Sequence, residues 1–284
     1  MAMTGGNCAP IGVFDSGYGG LTVLRDIISL MPQYDMVYLG DNARTPYGSR
    51  SFDVVCQYTR EAVQCLLDMG CPLVILACNT ASAKALRDIQ QKYLPKNAPD
   101  RRVLGVIRPS VEYAAEVTRN GHVGVLATVG TVTSSSYPIE LRKWSGGRVL
   151  ATVQQACPMW VPLVENNEIN TSGAAFFVHR DVARLFDKDP DIDTLILGCT
   201  HYPLLIDAIR SSIPTPDVRI IEQGKIVAQK LADYLRRHPE IEQKCTKNGK
   251  HTYFTTEEPA LFRANASLFM GQPVESVTRL LRLP

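Results

Sequence analysis

Short aliphatic runs alternate with amphipathic stretches along the whole chain, and the two periods predict different elements. Strands are predicted at 11–15, 36–40, 73–77, 103–107, 122–127, 149–153, 194–198, 218–222 and 251–255. Several are apolar throughout, as Leu73-Val74-Ile75-Leu76-Ala77 shows, which suits parallel strands covered on both faces. Between them, Leu21, Leu24, Ile27, Ile28 and Met31 fall at helical spacing until Pro32 stops the run. Ser51 is placed to cap a second helix whose inner face includes Val55, Val63 and Leu66, and Gly70 closes it. Further helices are predicted over 81–93, 111–120, 173–186, 204–212 and 225–237. Strand–helix alternation of this kind predicts an α/β fold with mainly parallel sheets flanked by helices.

Two echoes suggest an internal repeat. Ile11-Gly12-Val13-Phe14 is matched by Val123-Gly124-Val125-Leu126, and Leu73-Val74-Ile75-Leu76-Ala77-Cys78 by Thr194-Leu195-Ile196-Leu197-Gly198-Cys199. Two similar halves, each delivering a cysteine at the carboxyl end of a buried strand, explain both; chance likeness between aliphatic strands is the alternative. No Pro, Gly or Ser linker marks a boundary.

The length of 284 residues suits two domains at roughly 150 residues each. Thirty Lys and Arg against 28 Asp and Glu leave a net charge of +2, so no general field favours nucleic acid or a membrane surface as partner. No apolar run reaches the ~18–20 residues of a membrane span, and residues 1–10 lack the basic and apolar regions of a secretory leader. The eight cysteines, at 8, 56, 65, 71, 78, 157, 199 and 245, are scattered and read as reduced cytosolic thiols rather than a disulfide scaffold. With no Cys-x-x-Cys pair, no His-Glu-x-x-His and five dispersed histidines, no metal site is expected. Cys199 and His201 supply two ligand types, but a third and fourth are missing.

In open parallel sheets, ligands bind beyond the carboxyl ends of the strands. Four segments stand there. Asp15-Ser16-Gly17-Tyr18-Gly19-Gly20 joins the first strand to its helix; it is neither the dinucleotide fingerprint nor a P-loop. Taken alone it reads equally as a tight turn with Asp15 capping the helix. Asp41-Asn42-Ala43-Arg44-Thr45-Pro46-Tyr47-Gly48 is a polar loop after the second strand. Ala77-Cys78-Asn79-Thr80 and Gly198-Cys199-Thr200-His201 each carry a cysteine from a strand toward a helix, where start-of-helix amides lower a thiol's pKa. Any one of these cysteines could instead be a small buried apolar residue. The segment 156–165 has prolines that predict a packed loop, ending on Glu165 as either a helix-start carboxylate or a site acid.

Taken together, these segments resemble the bacterial glutamate racemases of the cofactor-independent Asp/Glu racemase superfamily. The likeness covers nearly the whole chain and rests on Phe14-Asp15-Ser16-Gly17-Tyr18-Gly19-Gly20-Leu21, Asp41 to Gly48, Ala77-Cys78-Asn79-Thr80-Ala81-Ser82, Ala156 to Glu165, and Gly198-Cys199-Thr200-His201-Tyr202-Pro203. His201 favours the glutamate enzymes, since related aspartate racemases typically carry Glu there. The resemblance implies Cys78 and Cys199 as the acid/base pair, with Asp15, Glu165 and His201 as auxiliary groups. It implies substrate contacts from Asp15, Ser16, Pro46, Tyr47, Gly48, Asn79, Thr80, Thr200 and His201. It also implies two pseudo-symmetric α/β domains, at 1–105 plus 219–284 and at 106–218, with the site in their cleft. No cofactor is implied. The expected setting is cytoplasmic supply of D-glutamate for peptidoglycan, with the homodimer common in such enzymes. Two segments depart from the usual pattern. Val106-Ile107-Arg108-Pro109-Ser110 stands for Val-Ile-x-Pro-Gly, and Ile221-Glu222-Gln223-Gly224 for Ile-Asp-Ser-Gly.

Other readings remain open on the residues alone. A relative could act on aspartate, a hydrolase could use Cys78 as nucleophile with His201 as base, and a non-catalytic carboxylate-binding protein could pack both cysteines.

Overall fold

A computed structural model describes residues 9–280 and Leu283; Cys8 lies outside the described residues. Ten strands form in chain order: β1 (Ile11–Asp15), β2 (Met36–Gly40), β3 (Leu73–Leu76), β4 (Arg102–Gly105), β5 (His122–Ala127), β6 (Ala151–Ala156), β7 (Thr194–Gly198), β8 (Arg219–Ile221), β9 (His251–Thr255) and β10 (Val277–Arg279). They make two sheets, ordered β10-β9-β2-β1-β3-β4 and β6-β5-β7-β8. Every pairing is parallel. The order β2-β1-β3-β4 in one sheet is the order β6-β5-β7-β8 in the other, so β1 corresponds to β5 and β3 to β7. This is the correspondence that the two sequence echoes point to.

Burial explains why the central strands are apolar throughout. β1, β2, β3 and β7 are buried at every position, covered by helices on both faces. The Gly20–Leu30 helix packs on the Gln223–Arg237 helix, which follows β8 of the smaller sheet. Residues 219–221 therefore pair with β7, although the expected boundary at 218 assigned them with the larger unit.

Several predicted elements differ in the structure. The strand expected at 103–107 stops at Gly105, and a helix, Ile107–Val117, takes over the apolar pair Val106-Ile107. Pro109 is tolerated there because first-turn N–H groups have no helical partner to lose. The helix expected at 81–93 breaks into Asn79–Lys84, Leu86–Asp88 and a π-turn at Ile89–Tyr93. Pro95 follows directly, and its missing N–H disturbs the hydrogen-bond ladder upstream. The packed loop expected at 156–165 contains a helix, Trp160–Glu165. Asp15 is not the cap residue of the first helix: Gly19 holds that position, while Asp15 Oδ2 accepts the Gly17 N–H at 2.9 Å and the Gly20 amide at the helix start also bears on its carboxyl.

Candidate active site

Topology brings the carboxyl ends of β1, β3, β5 and β7 together, and the sequence-predicted residues follow. β1 ends in Asp15, whose carboxyl is fully buried. Burial pushes its pKa up, and the His201 charge and Gly17 amide pull against that rise. One oxygen, Oδ1, is buried with no hydrogen-bond partner. Ser16 Oγ lies 3.4 Å from Cys78 Sγ in a hydrogen bond.

Cys78 caps the Asn79–Lys84 helix, its sulfur accepting the Ala81 N–H at 3.4 Å. That amide was expected to depress the thiol's pKa. Burial overrides it: desolvation, with the Asp15 charge adding, pushes Cys78 up to about 12, against the pull of Ser16 and Ala81. Cys78 is therefore a thiol at neutral pH. A charge on Cys199 would raise it further.

Cys199 leaves β7 into a different environment. A single-turn 3-10 helix, Tyr202–Leu205, follows in place of an immediate α-helix. Its sulfur faces His201 Nδ1 at 3.8 Å, and His201 Nε2 lies 3.0 Å from Glu165 Oε1. Burial alone would hold this imidazole neutral, but the bonds to Cys199 and Glu165 and their charges outweigh it and lift the pKa to about 10. His201 is thus cationic at neutral pH. Glu165 ends its helix instead of starting one, and its carboxylate meets the histidine. His201 pairs with Cys199, so the Cys78–His201 couple that a cysteine hydrolase requires is not formed.

The remaining predicted residues sort by what their side chains already hold. Tyr47 is buried, and its hydroxyl donates to Asp41 Oδ2. What this loop can offer a ligand is therefore the chain around exposed Pro46 and half-buried Gly48. Gly48 O accepts the Gly130 N–H at 2.7 Å, reaching from the larger sheet's loops to the smaller sheet's. Thr80 Oγ1 bonds Thr128 Oγ1 at 2.9 Å, and Asn79 Nδ2 donates to Gln223 Oε1 at 2.6 Å. Thr200 O accepts from Thr22 Oγ1 at 3.1 Å.

Two residues that sequence reasoning missed stand among these. Thr128 caps the Val129–Thr133 helix after β5 and Thr131 lies within it, and both hydroxyls approach Thr80. The signal was present: the offset that maps Ile11 onto Val123 also maps Ser16 onto Thr128. Far from this cluster, His122, Asp189 and Asp191 gather at the opposite end of β5, with His122 Nδ1 held by Asp189 at 2.9 Å.

Known proteins of similar sequence and fold point to one family. Glutamate racemase of Geobacter metallireducens is 39% identical over 261 residues, covering 92% of each chain. Among solved structures, a glutamate racemase isoform of Bacillus anthracis superposes with a TM-score of 0.85 at 36% identity, over 96% of this chain and 97% of that one. The Francisella tularensis glutamate racemase, solved with D-glutamate, gives 0.84 at 29% identity, over 96% and 98%. Fold and relatives together make this chain an amino-acid racemase, which is an isomerase. It belongs to the Asp/Glu/Hydantoin racemase family, whose profile matches residues 19–231. Among the described residues no helix is long and apolar enough to cross a membrane.

Proposed function

We propose that this racemase interconverts L- and D-glutamate by a two-thiol exchange at Cα, in the cleft between its two halves. The observation that carries the reading is the pair of cysteines at corresponding strand ends, after β3 and β7, of two sheets with the same strand order. Racemisation takes the α-proton from one face and returns one to the other. Two opposed groups do this by exchanging roles, one protonated while its partner is not. Cys78, held as a thiol, is the resting acid, and Cys199 is then the base. In the opposite direction the roles reverse.

The α-proton is weakly acidic, so the developing carbanion needs preorganised electrostatic help. Cationic His201, braced by Glu165, supplies positive charge beside Cys199. The orphan Oδ1 of Asp15 is a free acceptor suited to the substrate's ammonium. Ser16, Thr80, Thr128 and Thr200, with the main-chain amides of Tyr47 and Gly48 beside Pro46, would donate to the two carboxylates, and Asn79 would add its backbone amide. Local donors of this kind hold an anionic substrate without a net positive field. The two thiols account for both proton transfers, so the scheme needs neither pyridoxal phosphate nor a metal. In the cell the product would serve peptidoglycan synthesis in the cytoplasm, and a homodimer is the assembly to test.

The test follows the circular dichroism of L-glutamate and of D-glutamate with the unmodified protein, Cys78→Ala and Cys199→Ala. Loss of an acid/base group costs on the order of a hundred- to ten-thousandfold, so each variant should fall at least about a hundredfold in both directions while folding normally. Near-normal racemisation by either variant would remove the two-thiol scheme.

A further inference from the structure

Behind Asn79 lies a buried polar group with no role in the scheme so far. Gln223 begins the Gln223–Arg237 helix and is 3% exposed. Its Oε1 accepts from Asn79 Nδ2 at 2.6 Å. Its Nε2 donates to Ser110 Oγ at 2.7 Å and to Tyr137 Oη at 2.9 Å, with Val106 O further off at 3.4 Å. Tyr137 in turn donates its hydroxyl to Asn79 Oδ1 at 2.7 Å, and Ser110 donates to Val106 O at 2.8 Å. Proton bookkeeping closes around this ring. Each hydroxyl accepts one hydrogen from Gln223 and passes its own onward, so Asn79 is gripped at both ends of its amide.

Only a carboxamide satisfies that ring as drawn, because the position must accept from one side and donate twice on the other. A carboxylate of the same size has no hydrogen to give. Tyr137 would turn its proton toward the carboxylate and release Asn79 Oδ1. The ring also joins parts far apart in the fold. Asn79 follows β3 of the larger sheet, Tyr137 lies on the Ser136–Trp144 helix after β5, and Gln223 follows β8 of the smaller sheet. Asn79 is next in the chain to Cys78. Ser110 and Gln223, one from each segment where the chain departs from its family's usual pattern, are hydrogen-bonded to each other here. The two departures are thus one structural feature.

We propose that Gln223 is a positioning residue for the racemase reaction. Its carboxamide acts through Asn79 to hold the Cys78-Asn79-Thr80 turn in register with the half of the molecule that carries Cys199. The inference rests on the two-thiol reading above. Acid and base must stand on opposite faces of one carbon, and a small misplacement of either costs rate more than binding.

The test measures kcat and KM for both glutamate enantiomers, with thermal midpoints, in Gln223→Met, Gln223→Glu, Tyr137→Phe and the Gln223→Met/Tyr137→Phe double variant. Both Gln223 variants should lose about tenfold or more in kcat with KM changed less than about threefold. Tyr137→Phe should fall in the same direction. The double variant should lose little beyond Gln223→Met, because both changes release the same amide. A folded Gln223→Met with kcat within twofold of the parent, or losses that simply multiply, would reduce Gln223 to interior packing. Should Gln223→Met not fold, Tyr137→Phe decides alone: kcat within twofold of the parent overturns the proposal. If the parent itself fails to racemise glutamate, the functional reading falls and takes this one with it. An active parent with unaffected variants removes only the role of Gln223.

Discussion

At the scale of single residues, the two cysteines are chemically unlike although their strands correspond. Cys78 is bonded to neutral groups and lies near the Asp15 carboxyl, whereas Cys199 faces a cationic imidazole. The asymmetry gives the two thiols different surroundings. It also has a signature in stability. The His201 pKa in the folded chain is raised from 6.5 to about 10, so the protonated ring contributes stability that is fully present below pH 6.5. That contribution is lost as pH rises through about 10. Thermal midpoints of the parent and His201→Gln, measured from pH 6 to 10.5, should differ most at the acid end and converge at the alkaline end. Midpoints that run parallel throughout would mean that the ring carries no such charge. Activity that depends on the cation should fall over the same alkaline range.

At the scale of elements, close approach of backbone decides where the site can form. Gly19, at the start of the Gly20–Leu30 helix, lies against the Cys199 turn, and a Cβ there would overlap Thr200 Oγ1 and the His201 ring. Neither neighbour is the free end of a flexible surface chain, since both are buried. Gly19→Ala should therefore displace His201 and cost about 1–3 kcal/mol of stability, the usual range for overpacking a buried contact. Denaturant titration with a racemisation assay checks it, and unchanged stability and rate would show that the turn yields. The same scale explains what the sequence reveals. Strands buried on both faces, such as β1 and β7, announce themselves as unbroken apolar runs. The edge strand β6 is half-buried at every position, so its Ala-Thr-Val-Gln-Gln-Ala segment sets no such pattern, and its predicted bounds fell short. β10, another edge, had no apolar run to find. The C-terminal Pro259–Met270 helix passed unnoticed despite Pro at its start and Gly271 (φ 69°) at its end, a recognised pair of helix signals. For the site, Cys78 and Cys199 were legible because each follows an unmistakable strand. Gln223 was not, because its partner Asn79 lies 144 residues away and no local pattern encodes that contact.

At the scale of the whole molecule, the candidate site is a junction between the loops of two sheets. Gly48 with Gly130, Thr80 with Thr128, and Thr22 with Thr200 are hydrogen-bonded pairs that cross from one half to the other. On the proposed reading, a net charge of +2 suffices for an anionic substrate because each half would bring its own donors and its own thiol to the same place. This arrangement makes one claim above the others, that separate groups serve the two faces of Cα. Incubating L-glutamate with the protein in D2O, without pyridoxal phosphate, and stopping at low conversion tests it most directly. The D-glutamate formed should carry deuterium at Cα, while the recovered L-glutamate keeps its hydrogen. Deuterium entering the recovered L-glutamate as fast as D-glutamate forms, or no D-glutamate from a folded sample, would contradict the two-thiol account.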